Sequence, residues 1–197
     1  MNEQLRQSRP STQVAEGVPR WRWTTAELER LVELGAIDPD EKFELFGGEI
    51  VPMSPKGRHH EVVADELARY WGPRVTPGIW VSVERQFNLD EATYTDPDLV
   101  VRPAAIKMYD LKGPDALLVI EVADSSWDKD TDLKVRTYAA FGVREYWVIH
   151  APTRTTRVYR EPAATGYASI TEHAADAIVT PLLVPALAVR LADLDLG

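Results

Sequence analysis

Cysteine is missing from this chain of 197 residues. Its absence excludes disulfide staples and sulfur-based zinc or thiol chemistry, and leaves any metal only oxygen or imidazole to bind. A reducing compartment is therefore permitted. Long apolar runs are missing too: the stretch from Met1 to Arg20 is polar, with Pro10, Pro19 and several Ser, Thr and Gln. It has none of the hydrophobic character of a signal peptide or membrane span, so a cytoplasmic protein with no membrane partner is expected. Positive charge is scarce, 22 Lys and Arg against 31 Asp and Glu, for a formal net charge of −9. That is the wrong sign for coating nucleic acid by bulk electrostatics. No internal repeat or low-complexity tract is present.

What the chain has is 45% hydrophobic residues over a length that suits a single domain, enough for one continuous core. Residues 1–20 lack periodic apolar positions and read as a flexible arm, leaving residues 21–197 as the domain. Thr24 or Thr25 is placed to cap a helix through Leu34, with Leu28, Leu31 and Val32 at helical spacing and Gly35 as its stop. Gly47-Gly48 between two short β segments, over Phe43 to Val51, is a hairpin signal closed off by Pro52 and Pro55. Arg58 to Trp71 patterns as an amphipathic helix ended by Gly72-Pro73. Three strands are expected next: Ile79 to Phe87, Tyr94 to Val101, and Ala116 to Ala123, the last an apolar run of the kind that fills a sheet centre. A helix from Asp128 to Phe141, a buried strand from Glu145 to Ile149, and a hairpin of Thr155 to Tyr159 with Tyr167 to Thr171 follow. The core order α-β-β-β-α-β, behind an N-terminal helix and hairpin, predicts an α/β fold with a mixed sheet flanked by helices. Trp80, Phe141, Tyr146 and Trp147 fall in segments that read as core, not as base-stacking platforms.

Three residues in this frame carry chemistry. Asp98 lies in Asp96-Pro97-Asp98-Leu99-Val100-Val101, where a proline is tolerated at a strand start and alternation puts Asp98 and Val100 on one face. Glu121 ends the most apolar segment of the chain, where a carboxylate is costly unless paired or bound to metal. On neighbouring strands these two acids would repel each other, which favours a hard cation such as Mg²⁺ or Mn²⁺. Lys134 shares a helix face with Tyr138 and Phe141, whereas Arg136 points elsewhere, so an inward amine is expected beside the acids. Lys56, Arg58, His59 and His60 form a compact basic cluster beside this cleft.

The ordered set of Phe43-Glu44-Leu45, Gly48-Glu49-Ile50-Val51 with Met53-Ser54-Pro55, Arg58-His59, Asp96-Pro97-Asp98, Glu121-Val122, Asp132 with Lys134 and Tyr138-Ala139, and Gly142-Val143-Arg144-Glu145-Tyr146-Trp147 resembles the Uma family of putative restriction endonucleases. That family lies within the PD-(D/E)XK nuclease superfamily, and the likeness runs from Trp23 to the C-terminus. The resemblance implies a restriction-endonuclease-like core, dependence on Mg²⁺ or Mn²⁺, cleavage of DNA and often a homodimer, for which Thr155 to Tyr159 or Leu182 to Leu191 offer surfaces. On that reading Asp98, Glu121 and the carbonyl of Val122 bind metal, and Lys134 orients the attacking water or stabilises charge on phosphorus. Glu44 resembles an additional site residue, and His59, at the start of the covering helix, is placed for phosphate or the outer part of the site. One departure is clear: Ala123 stands where the superfamily's lysine normally follows the acid on the same strand, so Lys134 must supply the charge from the next helix.

Each residue alone has a plainer role. Asp98 suits a turn cap, Glu121 a buried salt bridge, Lys134 a surface lysine, Glu44 and Glu49 an exposed hairpin, and the aspartates of 124–132 a helix start. Together, in order and on compatible faces, they favour a divalent-metal-dependent DNA endonuclease. A catalytically silent nucleic-acid-binding or accessory protein that keeps the fold, and a hydrolase of small phosphate esters, are the alternatives.

Overall fold

The computed structural model describes residues 21–196. The arm read over residues 1–20 lies outside them. In chain order the elements are α1 (Thr25–Glu33), β1 (Phe43–Phe46), β2 (Glu49–Pro52), α2 (Arg58–Trp71), β3 (Ile79–Val83), β4 (Phe87–Asp90), β5 (Thr93–Thr95), β6 (Leu99–Pro103) and β7 (Leu118–Ala123). They continue as α3 (Trp127–Thr131), α4 (Leu133–Ala140), β8 (Glu145–His150), β9 (Thr155–Ala163), β10 (Gly166–His173), β11 (Ile178–Val179) and β12 (Val189–Arg190). Among the described residues, no helix is long and apolar enough to cross a membrane.

Local chemistry sets these boundaries. Thr24 caps α1 through a reciprocal pair: Glu27 N–H donates to Thr24 Oγ1 at 3.2 Å and Thr24 N–H to Glu27 Oε2 at 2.8 Å. Gly47 and Gly48 both take positive φ, 56° and 85°, as a tight hairpin turn between β1 and β2 requires.

The principal sheet runs β10-β9-β8-β7-β6-β3, with β7 and β8 parallel and the other neighbours antiparallel. It is a mixed sheet, and the chain passes through α2, β3, β6, β7, the α3–α4 pair and β8 in the expected α-β-β-β-α-β order. Alternation along β7 divides its side chains between two cores. Leu118, Ile120 and Val122 pack with Val63, Leu67 and Trp71 of α2, whereas Val119 and Ala123 pack with Val135, Tyr138 and Ala139 of α4. Each such fully buried aliphatic side chain contributes about 1.5–3 kcal/mol relative to exposure.

Several expectations change. The strand read from Ile79 to Phe87 is two: Glu84 takes φ 49°, and the chain leaves β3 to enter a second sheet, ordered β2-β1-β5-β4, as β4. Tyr94 to Val101 likewise splits into β5 and β6, because each half pairs with a different sheet. The helix read from Asp128 to Phe141 breaks at Asp132, whose φ −125° and ψ −72° are not helical. Trp80 is 56% exposed on the edge strand β3, not core. Thr155 to Tyr159 is no free edge, since β9 is paired on both sides.

Candidate active site

The cleft opens at the carboxyl end of the parallel pair β7–β8, where α/β sheets leave room for ligands. The β6–β7 ladder stops at Leu99 opposite Ile120, and Asp98, one residue before β6, continues it with its side chain: Val122 N–H donates to Asp98 Oδ2 at 2.7 Å. Asp98 is thus fixed in the line of the sheet, not on the strand face that alternation suggested. His60 Nε2, from the first turn of α2, lies 2.9 Å from the same oxygen, and Lys56 Nζ donates to Oδ1 at 3.0 Å. Lys56 also reaches Glu84 Oε1 at 2.7 Å, so the left-handed turn at Glu84 places its carboxylate beside the cleft.

Glu121 points to the α4 side of the sheet, as Val119 and Ala123 do. There Lys134 Nζ donates to Glu121 Oε1 at 2.7 Å and lies 3.0 Å from Glu44 Oε1 and 3.5 Å from Asp130 Oδ1. Tyr138, one turn along α4, donates its hydroxyl to the same Glu121 oxygen at 3.1 Å. Glu44 is fully buried on β1; its Oε2 accepts from Lys129 Nζ at 2.9 Å and its Oε1 from the Asp96 N–H at 3.1 Å.

The acids differ in how readily they ionise. Burial opposes the charge on Asp98, but the hydrogen bond and charge of His60, with Lys56 and the Val122 N–H, outweigh it and hold the carboxyl below its usual range. Glu44 is likewise held low, because Lys134 and Lys129 overcome its burial. Glu121 goes the other way: burial, reinforced by Asp130, Asp98 and Glu44, pushes it well above the usual range despite Lys134. Asp130 and Asp96 are also raised, chiefly by burial. Burial would drive the proton off Lys134, but Glu121, Glu44 and Asp130 overcome it and keep the amine charged. The acids are raised first by burial and then by one another, whereas the amine is raised by the acids, against its burial.

Of the residues read from sequence, Asp98, Glu121, Val122 and Lys134 line one cleft, and Glu44 lies behind it against Lys134. His59 does not join them: it is largely exposed, with Nδ1 3.7 Å from Asp124 Oδ2 at the rim, while its neighbour His60 turns inward. Helix phase could have separated the two, since His60 shares a face with the buried Val63, Ala64 and Leu67. Asp96, Asp130 and Lys129 also line the cleft and were not singled out as site residues.

A family model described as Uma2, putative restriction endonuclease, matches residues 25–193. The chain belongs to the Uma2 family. Among solved structures it is similar to a putative nuclease belonging to DUF820 from Anabaena variabilis ATCC 29413, at 20% identity and a TM-score of 0.66, over 87% of this chain and 96% of that one. At that identity the likeness is one of fold, and it agrees with the α/β architecture above. No curated protein matches the chain.

A nuclease fold of this kind generally uses divalent metal, and the donors can be tested against that. All are hard oxygens, and among the described residues five carboxylates, Asp96, Asp98, Glu121, Asp124 and Asp130, line the cleft with three lysines. Asp130 Oδ1 is buried and accepts no hydrogen bond. Among the described residues no three acids or histidines form a ready-made metal cluster. Mg²⁺, however, is held by one or two carboxylates and keeps several waters. The residues therefore fit a hexacoordinate Mg²⁺ or Mn²⁺ ion and do not fit a closed protein cage.

Proposed function

We propose that this Uma2 protein is a divalent-metal-dependent endonuclease that hydrolyses phosphodiester bonds of DNA, with Asp98, Glu121 and Lys134 as its catalytic residues in a PD-(D/E)XK-like arrangement. The observation that supports the reading best is the buried Lys134 ammonium held against Glu121 at the strand end, in a cleft where acids outnumber amines. Asp98, Glu121 and the Val122 carbonyl would hold Mg²⁺ or Mn²⁺, which when bound polarises a phosphoryl oxygen and acidifies water. Lys134 Nζ, kept protonated by three acids, donates to oxygen where negative charge develops on phosphorus. Tyr138 and Glu44 fix the direction of that amine and its partner, and His60 fixes Asp98. His60 takes the place given to His59 in the sequence reading. A cytoplasmic location and a homodimer belong to the same proposal.

The alternative of a silent nucleic-acid-binding protein has one observation in its favour, the lysines already seated on Asp98 and Glu121. The test is nicking of supercoiled DNA by the purified full chain in Mn²⁺, with calorimetric Mn²⁺ titration alongside. Asp98→Ala, Glu121→Ala and Lys134→Ala should each abolish nicking, and wild type should bind Mn²⁺. Cutting that survives all three substitutions would sink the assignment, and a wild type that neither cuts nor binds Mn²⁺ favours the silent reading.

A further inference from the structure

Resting on the metal-dependent nuclease reading, we propose that Lys56 is the gate of the acidic cleft: its ammonium competes with the divalent ion for Asp98 Oδ1 and passes to Glu84 when the ion takes that oxygen. Lys56 thereby sets how tightly the centre binds a cation and favours divalent ions over monovalent ones.

The two oxygens of Asp98 are not equivalent. Oδ2 accepts from the Val122 N–H at 2.7 Å and lies 2.9 Å from His60 Nε2, so it is committed to joining the strand end to the first turn of α2. Oδ1 is the oxygen left to face a cation, and Lys56 Nζ donates to it at 3.0 Å. A carboxylate oxygen has lone pairs for two partners, but an ammonium and a divalent ion on one oxygen repel each other, strongly so where burial weakens screening. Asp98 is buried, so one of the two cations has to yield.

Lys56 is placed to yield, and the other two lysines of the cleft are not. Lys134 in α4 is buried against three acids, and Lys129 in α3 shares Glu44 with it. Lys56 lies between β2 and α2, outside both, with its side chain 25% exposed, and it bridges two acids of different kinds. Asp98 is inside the cleft. Glu84, 2.7 Å from the same Nζ, is not on the cleft lining, and its side chain is 56% exposed. The φ of 49° at Glu84, an unfavourable state for a residue with a side chain, is what brings this second carboxylate to the lysine. Leaving Oδ1 therefore costs Lys56 one hydrogen bond and keeps its charge paired at the rim, so no ammonium is stranded in the interior.

Competition also gives the site a preference. A monovalent cation brings no more charge to Asp98 than the ammonium it would displace, whereas a divalent one brings twice as much. Selection for a divalent ion then needs no closed cage of ligands, in keeping with the lack of a three-acid cluster among the described residues. The lysine on Asp98, which speaks for a silent protein if it is fixed there, is on this reading exchangeable.

The experiment is calorimetric Mn²⁺ titration of the full chain, wild type against Lys56→Met and Lys56→Arg, with a crystal structure of the Mn²⁺-bound wild type. Lys56→Met should bind Mn²⁺ about tenfold tighter, the equilibrium weight of one hydrogen bond between charged groups, and Lys56→Arg should stay near wild type. A merely structural lysine predicts the opposite sign, because its loss would loosen the cleft and weaken binding. In the crystal, Lys56 Nζ should remain on Glu84 and lie out of hydrogen-bonding range of Asp98 Oδ1. Mn²⁺ binding by Lys56→Met that is equal to or weaker than that of wild type, binding by neither protein, or an ion on Asp98 with Lys56 still bonded to Oδ1 would overturn the proposal. The nuclease reading fails in a different way: a wild type that binds Mn²⁺ and leaves supercoiled DNA uncut sinks that reading and leaves the gate standing.

Discussion

Replacing Lys134 by methionine keeps the bulk of the side chain and removes the ammonium that lies 2.7 Å from Glu121, 3.0 Å from Glu44 and 3.5 Å from Asp130. The side chain is 3% exposed, so solvent screening does not soften the change. Removing one partner of a buried ion pair costs about 3–5 kcal/mol, because the other charge stays behind unpaired. With a urea dependence of about 2 kcal/mol per molar, a loss of about 4 kcal/mol lowers the unfolding midpoint by about 2 M. The loss depends on pH with a definite sign. Glu121 is already raised well above its ordinary value of 4.5 by burial and by neighbouring acids, and loses its main opposing charge in the variant. A folded-state pKa raised in this way costs nothing below the unfolded value, and the cost grows as pH rises through the folded value. The gap between Lys134→Met and wild type should therefore be smaller at about pH 5 than at about pH 8, measured by urea unfolding followed by tryptophan fluorescence. A loss below about 1 kcal/mol, the value of an exposed pair, or one equal at both pH values, would refute the role given to Lys134.

His60→Ala should raise the midpoint of acid unfolding and cost about 1.5–3 kcal/mol near neutrality, while His59→Ala stays within about 0.5 kcal/mol. The sign follows from Asp98: burial opposes its charge, but His60 leads the groups that hold it below 3.8, so its contribution is present above that value and lost as pH falls through the lowered one. Gly113→Ala should destabilise by about 1–3 kcal/mol or more in denaturant, because a Cβ there would stand 2.0 Å from the Phe141 carbonyl oxygen.

The contrast between α2 and the region after β3 shows which parts of the fold were readable. Arg58–Trp71 was legible to the residue, because its apolar positions repeat at helical spacing and Gly72-Pro73 follows. The break at Glu84 was not, since a left-handed residue without glycine leaves no local signal, and neither did the choice of β4 and β5 to pair with the N-terminal hairpin. At the site, Asp98 and Glu121 were readable as acids in apolar company. The contacts of Glu44 were not: 85 residues separate it from Lys129, and no periodicity reports a pairing of that span.

The break at Asp132 explains why Glu44 sits where it does. In one continuous helix from Asp128 to Phe141, residues five apart differ by about 140° around the axis, so Lys129 and Lys134 would face different ways. Ending α3 at Thr131 and restarting at Leu133 turns both amines onto one carboxylate, Oε2 of Glu44 taking Lys129 and Oε1 taking Lys134. With both oxygens engaged by ammonium groups, Glu44 is well placed to hold Lys134 on Glu121. Its full burial then follows from chemistry, because a carboxylate with two ammonium partners and a backbone N–H can leave water where an unpaired one cannot. On the proposed nuclease reading Glu44 is a positioning residue for the amine, and the break at Asp132 that brings Lys129 and Lys134 onto it is what separates this helix from the regular one its sequence suggests.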